Sequence, residues 1–151
     1  MIVGLGIDVC SVERMEESLA RFGDRMWARI LTEGERADLS ERADRATALA
    51  GRFAVKEALF KAMAGAPGVG WHDLEIRGAP RRAPVATLRG PARALADRMG
   101  VRRVHVSITH DGGVAAAVAI LEGEDGAHDQ GGADRGPEPR DRLGGAEEES
   151  P

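Results

Sequence analysis

Two acidic residues and one lysine have the types and spacing that suit a divalent cation beside a phosphate. Asp8 ends a glycine-containing apolar segment, and Glu57 lies four residues before Lys61. Residues four apart share one face of a helix, so Glu57 and Lys61 are predicted to project together. Mg²⁺ takes one or two carboxylates and completes its shell with water and phosphate oxygens. The alternative, which spacing alone favours, is a surface ion pair worth about 0.3–0.5 kcal/mol.

The lysines of the chain mark the same window. There are 19 arginines and only two lysines, Lys56 and Lys61. Lysine offers a compact point charge where arginine offers a planar fork. Lys56 stands four residues before Phe60, so its spacing does not place its ammonium group. The chain contains no P-loop and no G-x-G-x-x-G sequence, so a nucleotide would need another binding scheme.

A second polar set alternates along a predicted strand near the end of the domain. His105, Ser107 and Thr109 fall on one face, and Val104, Val106, Ile108 and His110 fall on the other. The polar face could line a pocket, but pattern alone favours a half-solvated edge strand. His110 and Asp111 precede Gly112-Gly113, which predicts a hairpin turn.

The elements that must position these residues come in mixed order. The predicted strands are residues 2–9, 74–76, 85–89, 101–109 and 114–121, and the predicted helices are 12–22, 24–31, 46–64 and 91–99. Thr32 and Glu35 fit a capping box, although Gly34 weakens a helix after it. Asp73 and Glu75 alternate with apolar residues and are expected on an exposed strand face. The pattern predicts an α+β fold in a single compact domain.

The first strand alternates apolar residues with glycine. Val3, Leu5, Ile7 and Val9 are predicted to face the core. The other side is mostly bare backbone and ends at Asp8. A glycine inside a strand often marks the close approach of a ligand or of another backbone.

Charge and composition divide the chain in two. Residues 123–151 carry nine acids and three arginines, a net charge of −6, with seven glycines and one large aliphatic residue, Leu143. Such a segment buries too little apolar surface to offset the entropy of ordering, so we expect a disordered acidic tail. Residues 1–122 carry 18 bases and 16 acids and form the predicted working domain.

Composition also excludes several protein classes. The working domain has no basic excess of the kind that nucleic-acid binding needs. No apolar run approaches the roughly 20 residues of a membrane helix. A single cysteine, Cys10, excludes a disulfide framework and a cysteine-based zinc site. We therefore expect a cytoplasmic protein without nucleic-acid or membrane partners.

Three blocks of residues together resemble a known family. They are Gly6-Ile7-Asp8 with Arg14, residues 53–62 with the sequence FAVKEALFKA, and Val106 to Asp111. In order and spacing they are similar to the signature blocks of the holo-[acyl-carrier-protein] synthases, small single-domain 4′-phosphopantetheinyl transferases. The resemblance covers about residues 1–122, and its second block is the most specific. It implies transfer of 4′-phosphopantetheine from coenzyme A to a serine of apo acyl carrier protein, leaving adenosine 3′,5′-bisphosphate.

The resemblance also implies roles for individual residues. Asp8 and Glu57 would bind Mg²⁺, and Lys61 would hold the pyrophosphate. His110 and Asp111 would lie near the nucleotide, one of them helping the serine proton to leave. Binding of coenzyme A is assigned as well to a further set: Arg52, His105, Ser107 and Thr109.

The family is also typically homotrimeric, with active sites between neighbouring subunits. Arg14 would face the acidic carrier protein or stabilise the centre near the metal. A local patch for the carrier is expected from Arg14 and Arg21; with Arg25 they repeat at spacings of seven and four, which would put all three along one side if the helix is not much disturbed at Gly23. Two other functions remain open: a Mg²⁺-dependent phosphohydrolase of a nucleotide-type substrate, and a non-catalytic trimeric nucleotide-binding protein.

Overall fold

The computed structural model describes residues 1–40, 42–78 and 82–124. The strands are β1 (Ile2–Ser11), β2 (Leu74–Arg77), β3 (Val85–Leu88), β4 (Val101–Asp111) and β5 (Val114–Gly123). The helices are α1 (Val12–Phe22), α2 (Asp24–Ile30), α3 (Glu33–Ser40), α4 (Arg45–Ala62) and α5 (Gly90–Arg98), with a 3₁₀ turn at Trp71–Asp73. The predicted acidic tail lies outside the described residues, apart from Gly123 and Glu124.

The architecture is one helix laid across a small antiparallel sheet. The main sheet has the order β1-β5-β4, and β2 and β3 form a separate two-stranded sheet. The turn between β4 and β5 contains Gly112 and Gly113 at φ 56° and 79°, as the hairpin prediction requires. The predicted α+β domain and all five predicted strands are confirmed.

The described residues contain five α-helices where the sequence predicted four. The additional helix, α3, begins at the capping box. The Thr32 amide donates to Glu35 Oε2 at 2.7 Å, and the Glu35 amide donates to Thr32 Oγ1 at 3.2 Å. This reciprocal cap stabilises the first turn despite Gly34. In the part of the chain that the structure describes, no helix is long and apolar enough to cross a bilayer.

The first strand faces the opposite way from the prediction. A Cβ on Gly6 would lie 1.9 Å from the Ala58 carbonyl oxygen of α4, and one on Gly4 would lie 2.3 Å from that of Ala62. The glycine side of β1 is therefore the packed side, because it lets the α4 backbone approach closely. The predicted core residues Leu5, Ile7 and Val9 are instead about 60% exposed, at 59%, 61% and 60%.

These exposed residues form what we call the outer face of the sheet. Leu5, Ile7 and Val9 pair across the ladder with Ile120, Val118 and Ala116 of β5. On β4, the same three rows continue with His105, Ser107 and Thr109, all exposed. The outer face thus has an apolar side on β1 and β5 and a polar side on β4.

Helix α4 is the centre of the protein. It crosses the inner face obliquely, because Gly51 near its start meets Ile108 of β4, whereas Ala58 and Ala62 meet β1. Its small sheet-facing residues allow this close packing. Ten of its residues are buried, including Arg52 and Lys56.

Candidate active site

Asp8 and Lys61 form the first part of the site, where β1 runs beside α4. Lys61 Nζ donates to Asp8 Oδ1 at 2.7 Å and to the Ile7 carbonyl at 3.1 Å. The Asp8 side chain is 15% exposed and that of Lys61 is 53% exposed. The ammonium group can therefore reach solvent or a ligand by rotation of a flexible side chain.

Glu57 completes a pair of carboxylates with Asp8. Burial, followed by the negative charge of Asp8, raises the pKa of Glu57, and the positive charge of Lys61 offsets part of that rise. Lys61 makes its ion pair with Asp8, so the simple Glu57–Lys61 surface pair is not what forms. No group of three or more metal-binding side chains occurs within residues 1–40, 42–78 and 82–124. Two carboxylate groups are nevertheless a donor set that Mg²⁺ uses.

A second site, the arginine pocket, lies beside the first half of α4. It has a volume of about 200 Å³. Four arginines and one histidine contribute to its lining: Arg42, Arg52, Arg77, Arg82 and His110. Arg42 is paired with Asp44, and Arg77 with Asp38, each through two hydrogen bonds of 2.7 and 2.8 Å. The pocket is thus cationic and has one strongly buried arginine.

That buried arginine is Arg52, at 7% exposure. Its Nη1 donates a long bond of 3.5 Å to the Ala48 carbonyl, and its Nε has no hydrogen-bond partner in the described part of the chain. Burial lowers the pKa of Arg52, the negative charges of Glu35 and Asp38 oppose that shift, and the charges of Arg42 and Arg77 add to it. A buried guanidinium with an unused N–H donor favours an anionic ligand.

The two sites lie on opposite flanks of α4. Arg52 and Glu57 are five residues apart, which places them about 140° apart around a helix of 3.6 residues per turn. At the strand level, Asp8 belongs to edge strand β1 and His110 to the other edge strand, β4. Within the chain, the carboxylate pair and the arginine pocket therefore lie on different sides of α4.

The remaining predicted site residues divide between the faces of β4. His105, Ser107 and Thr109 project from the outer face, away from both α4 sites. His105 Nε2 lies 2.8 Å from Glu122 Oε2, and this contact lowers the pKa of Glu122. Asp111 is exposed at the end of β4. Within a protomer, only His110 of the predicted β4 set joins the arginine pocket.

A third feature, the docking groove, lies between α1, α2 and α4. It has a volume of about 370 Å³. Its apolar lining is Phe22, Met26, Ile30, Phe53 and Trp71, and Ser18, Arg25 and Arg29 complete it. The Arg21 guanidinium lies 5.1 Å from the centre of the Phe22 ring.

The predicted arginine row beside the groove is interrupted. Helix α1 ends at Phe22, and Gly23 at φ 51° starts the separate helix α2. Arg25 therefore does not share the helical face of Arg14 and Arg21. The common face required a helix undisturbed at Gly23, and the helix ends there. Arg14 and Arg21 remain exposed on α1.

Lys56, which spacing could not place, is fully buried. Its ammonium donates to Glu35 Oε2 at 2.7 Å and to the carbonyls of Ile30 at 2.7 Å and Trp71 at 3.0 Å. Burial lowers the pKa of Lys56, and the Glu35 hydrogen bond opposes that shift. Glu75, expected on an exposed face, is also buried, with hydrogen bonds from Thr32 and Arg89. The capping box was the sequence signal for this cluster, because it brings Glu35 inward.

Comparison with known proteins assigns the chain to a family. The model of the 4′-phosphopantetheinyl transferase superfamily matches residues 4–119. The chain belongs to this superfamily. A holo-[acyl-carrier-protein] synthase of Anaeromyxobacter dehalogenans (strain 2CP-C) is 50% identical over 127 residues, covering 82% of this chain and 98% of that protein. The prediction of a holo-[acyl-carrier-protein] synthase-type transferase is confirmed.

Solved structures of the superfamily share the fold. The Helicobacter pylori holo-[acyl-carrier-protein] synthase in complex with coenzyme A has a TM-score of 0.67 and 31% identity, covering 78% of this chain and 99% of that one. A Bacillus anthracis holo-(acyl-carrier-protein) synthase in complex with CoA (3′,5′-ADP) has a TM-score of 0.66 and 34% identity, covering 82% and 99%.

Proposed function

We propose that this chain transfers 4′-phosphopantetheine from coenzyme A to a serine of an apo acyl carrier protein, releasing adenosine 3′,5′-bisphosphate. The observation that carries the proposal is the packing of Asp8, Glu57 and Lys61 at one point where β1 meets α4. All three lie within the segment that matches the superfamily. Two relatives whose sequences are 50% identical to this chain are holo-[acyl-carrier-protein] synthases.

The carboxylate pair fits Mg²⁺. Burial and the charge of Asp8 raise the pKa of Glu57, and a divalent cation bound by both carboxylates would remove that cost of ionising Glu57. When bound there, Mg²⁺ supplies charge neutralisation to the pyrophosphate of coenzyme A. Lys61 would exchange its bond to Asp8 for a phosphate oxygen. These residues would thus hold the diphosphate in place for attack by the carrier serine.

The arginine pocket would take the 3′-phosphate of coenzyme A. A phosphate could accept hydrogen bonds from Arg52, whose Nε lacks a partner among the described residues. A charge-assisted hydrogen bond is worth about 1.5–3 kcal/mol, or roughly a 10- to 100-fold change in affinity. Arg52→Met should therefore raise the KM for coenzyme A by that factor.

Comparison with 3′-dephospho-coenzyme A isolates the phosphate contact. With this substrate, Arg52→Met should change KM less than about twofold. Arg93→Met is a matched control, because Arg93 is exposed and pairs only with Asp97 one turn away. Equal losses with both forms of the coenzyme would exclude the 3′-phosphate as the partner of Arg52.

We further propose that the protein is a homotrimer whose active sites form between subunits. The occupant of the outer face would be a second copy, since Leu5, Ile7 and Val9 form a contiguous exposed apolar patch. The same arrangement would let the carboxylate pair of one subunit meet the arginine pocket of its neighbour. His110 and Asp111 would then approach the reacting serine from the neighbouring subunit.

Ile7→Glu tests this assembly against a matched control. Ile7 and Val85 are both 61% exposed, but Val85 lies on the two-stranded sheet, away from the outer face. In sedimentation or light scattering, Ile7→Glu should be monomeric and Val85→Glu trimeric. A wild-type monomer at working concentration, or a trimeric Ile7→Glu, would contradict the proposed assembly.

The acidic carrier protein would bind along α1 and the docking groove. Arg14 and Arg21 supply positive charge, and the apolar lining beside Phe22 supplies a socket for apolar side chains of the carrier. Any charge complementarity to the carrier would come from these individual arginines, because residues 12–30 carry four arginines and four acidic residues and the working domain is nearly neutral overall.

The decisive experiment is to incubate the protein with coenzyme A, Mg²⁺ and an apo carrier and to weigh the carrier. We expect a mass gain of one phosphopantetheine group, which Asp8→Asn and Glu57→Gln each abolish. Cleavage of coenzyme A without the carrier would indicate the phosphohydrolase instead. Absence of any product would favour a non-catalytic protein and refute the proposal.

A further inference from the structure

Lys56 ties three separate elements to α4 from inside the protein. Its ammonium has no exposure to solvent and makes three hydrogen bonds, to the Glu35 carboxylate of α3, the Ile30 carbonyl of α2 and the Trp71 carbonyl of the 3₁₀ turn. The ammonium group has three N–H donors, so its hydrogen-bonding capacity is fully used.

Two of these three partners form walls of the docking groove. Ile30 ends α2, where carbonyl groups lack intrahelical partners and a cation is favourable. Trp71 also lines the groove, and its ring stacks on Phe53 at 5.2 Å and meets the Phe60 ring edge-on at 5.2 Å. Lys56 is thus one of the contacts that fix the distance between α2 and the 3₁₀ turn, beside the 2.8 Å hydrogen bond between His72 Nε2 and the Ala28 carbonyl.

Stability alone does not explain why a charge occupies this position. Replacing a buried ion pair with apolar side chains of similar volume is often neutral or stabilising. An apolar side chain would lose the bonds to the Ile30 and Trp71 carbonyls and leave the His72–Ala28 hydrogen bond to join the two elements, whereas lysine fixes both carbonyls. The particular property of Lys56 is therefore the geometry that it imposes on the groove.

We propose that Lys56 is a positioning residue for carrier docking, which holds the Ile30 and Trp71 walls of the docking groove in register with the metal-site helix. The next residue on α4 is Glu57, so Lys56 and one carboxylate of the pair lie on the same helix. A carrier seated in the groove would present its serine at a fixed position relative to Asp8 and Glu57. This inference rests on the proposed transfer to a carrier protein.

Paired variants separate the tether from simple charge neutralisation. Lys56→Met alone leaves Glu35 as an unpaired buried carboxylate and could prevent folding. Glu35→Gln also removes a counter-ion, but the buried ammonium keeps the Ile30 and Trp71 carbonyls and an amide oxygen as acceptors, so the test compares this variant with the double variant Glu35→Gln/Lys56→Met after thermal melting has shown that both are folded. Both keep an amide oxygen for the α3 cap, and only the double variant loses the bonds to Ile30 and Trp71.

We expect the double variant to have a carrier KM at least about tenfold above that of Glu35→Gln, with the KM for coenzyme A within about twofold. Lys61→Met is the matched control, because it removes the other lysine of α4 from a site that does not touch the groove. Its carrier KM should stay near wild type while kcat falls. Equal carrier KM for the Glu35→Gln and double variants would overturn the proposal, as would a comparable rise in Lys61→Met.

Fluorescence supplies a readout that does not depend on catalysis. The chain has two tryptophans, and Trp27→Phe leaves Trp71 as the reporter. In that background, adding Glu35→Gln/Lys56→Met should red-shift Trp71 emission and increase its quenching by acrylamide relative to Glu35→Gln alone. Unchanged emission and quenching would overturn the proposal. If the wild-type protein modified no carrier, the proposed function would be refuted. The fluorescence measurement would still test whether Lys56 positions Trp71.

Discussion

Gly6→Ala should disable the enzyme by separating α4 from β1. The added Cβ would lie 1.9 Å from the Ala58 carbonyl oxygen and 2.8 Å from the Ala62 amide nitrogen. An ordinary contact begins at 3.4 Å, so the two backbones must part by about 1.5 Å. No side chain can rotate to relieve the contact, because the atoms that it meets belong to the helix backbone.

A shift of that size matters for both stability and chemistry. Overpacking in a core costs about 1–3 kcal/mol, and a backbone clash belongs at the upper end of that range. Metal-ligand distances tolerate about 0.2 Å, so a movement of Glu57 relative to Asp8 of about 1.5 Å breaks the carboxylate pair as a chelating unit. A misplacement of about 1 Å can lower a rate by about 100-fold.

The assay combines calorimetric melting with kcat for carrier modification at several Mg²⁺ concentrations. We expect Tm to fall by roughly 5–10 °C, kcat to fall by about 100-fold, and the Mg²⁺ requirement to rise. Gly70→Ala is the control, since its nearest heavy atom is Asp73 Oδ2 at 3.5 Å and its φ of −95° suits any residue. Wild-type Tm and kcat in Gly6→Ala would refute the close-packing argument.

Three further predictions follow from the charges of the chain. Because the folded-state pKa of Glu57 is raised, ionisation of Glu57 lowers the stability of the protein as pH rises through that pKa. Glu57→Gln should therefore raise the Tm of the metal-free protein at neutral pH and abolish the increase in Tm that Mg²⁺ causes. A lower metal-free Tm would contradict this prediction. In wild type, the half-saturating Mg²⁺ concentration should increase as pH falls through the same pKa. Arg14→Glu and Arg21→Glu should raise the carrier KM far more than the coenzyme A KM. Added salt should raise the carrier KM of the wild-type protein. If Arg14→Glu instead lowered kcat and left the carrier KM unchanged, Arg14 would belong to the catalytic centre.

Periodicity predicted the elements well but assigned the faces of β1 wrongly. Alternation locates a strand and tells which residues share a side, but it does not tell which side is covered. In β1 the usual assumption of an apolar core side failed, because Gly4 and Gly6 accept a helix backbone more closely than any side chain would allow. The prediction that these glycines mark a close backbone approach was confirmed.

The sequence also did not predict which residues far apart along the chain would contact one another. Asp8 and Lys61 are 53 residues apart; their residue types suggested a shared site, but their direct ion pair was not predicted, since the sequence offered only a Glu57–Lys61 pair. Arg77 and Arg82 of the arginine pocket gave no local signal, since an arginine-rich chain offers many candidates. Lys56 gave only a hint, because two lysines in one window do not reveal that one is buried and the other exposed.

The contrast between the two lysines also governs how the protein would react with amine-directed reagents. Lys56 has no exposed surface and donates hydrogen bonds to three acceptors, so an acylating reagent cannot reach its ammonium group unless the surrounding structure unfolds. Lys61 has a half-exposed side chain, and these are the only lysines in the chain. Apart from the amino terminus, chemical labelling of the native protein would therefore go to one side chain, beside Asp8. Because acylation removes the Lys61 charge, a fluorophore attached in this way would report on Mg²⁺ at the two carboxylates and not on binding of the diphosphate.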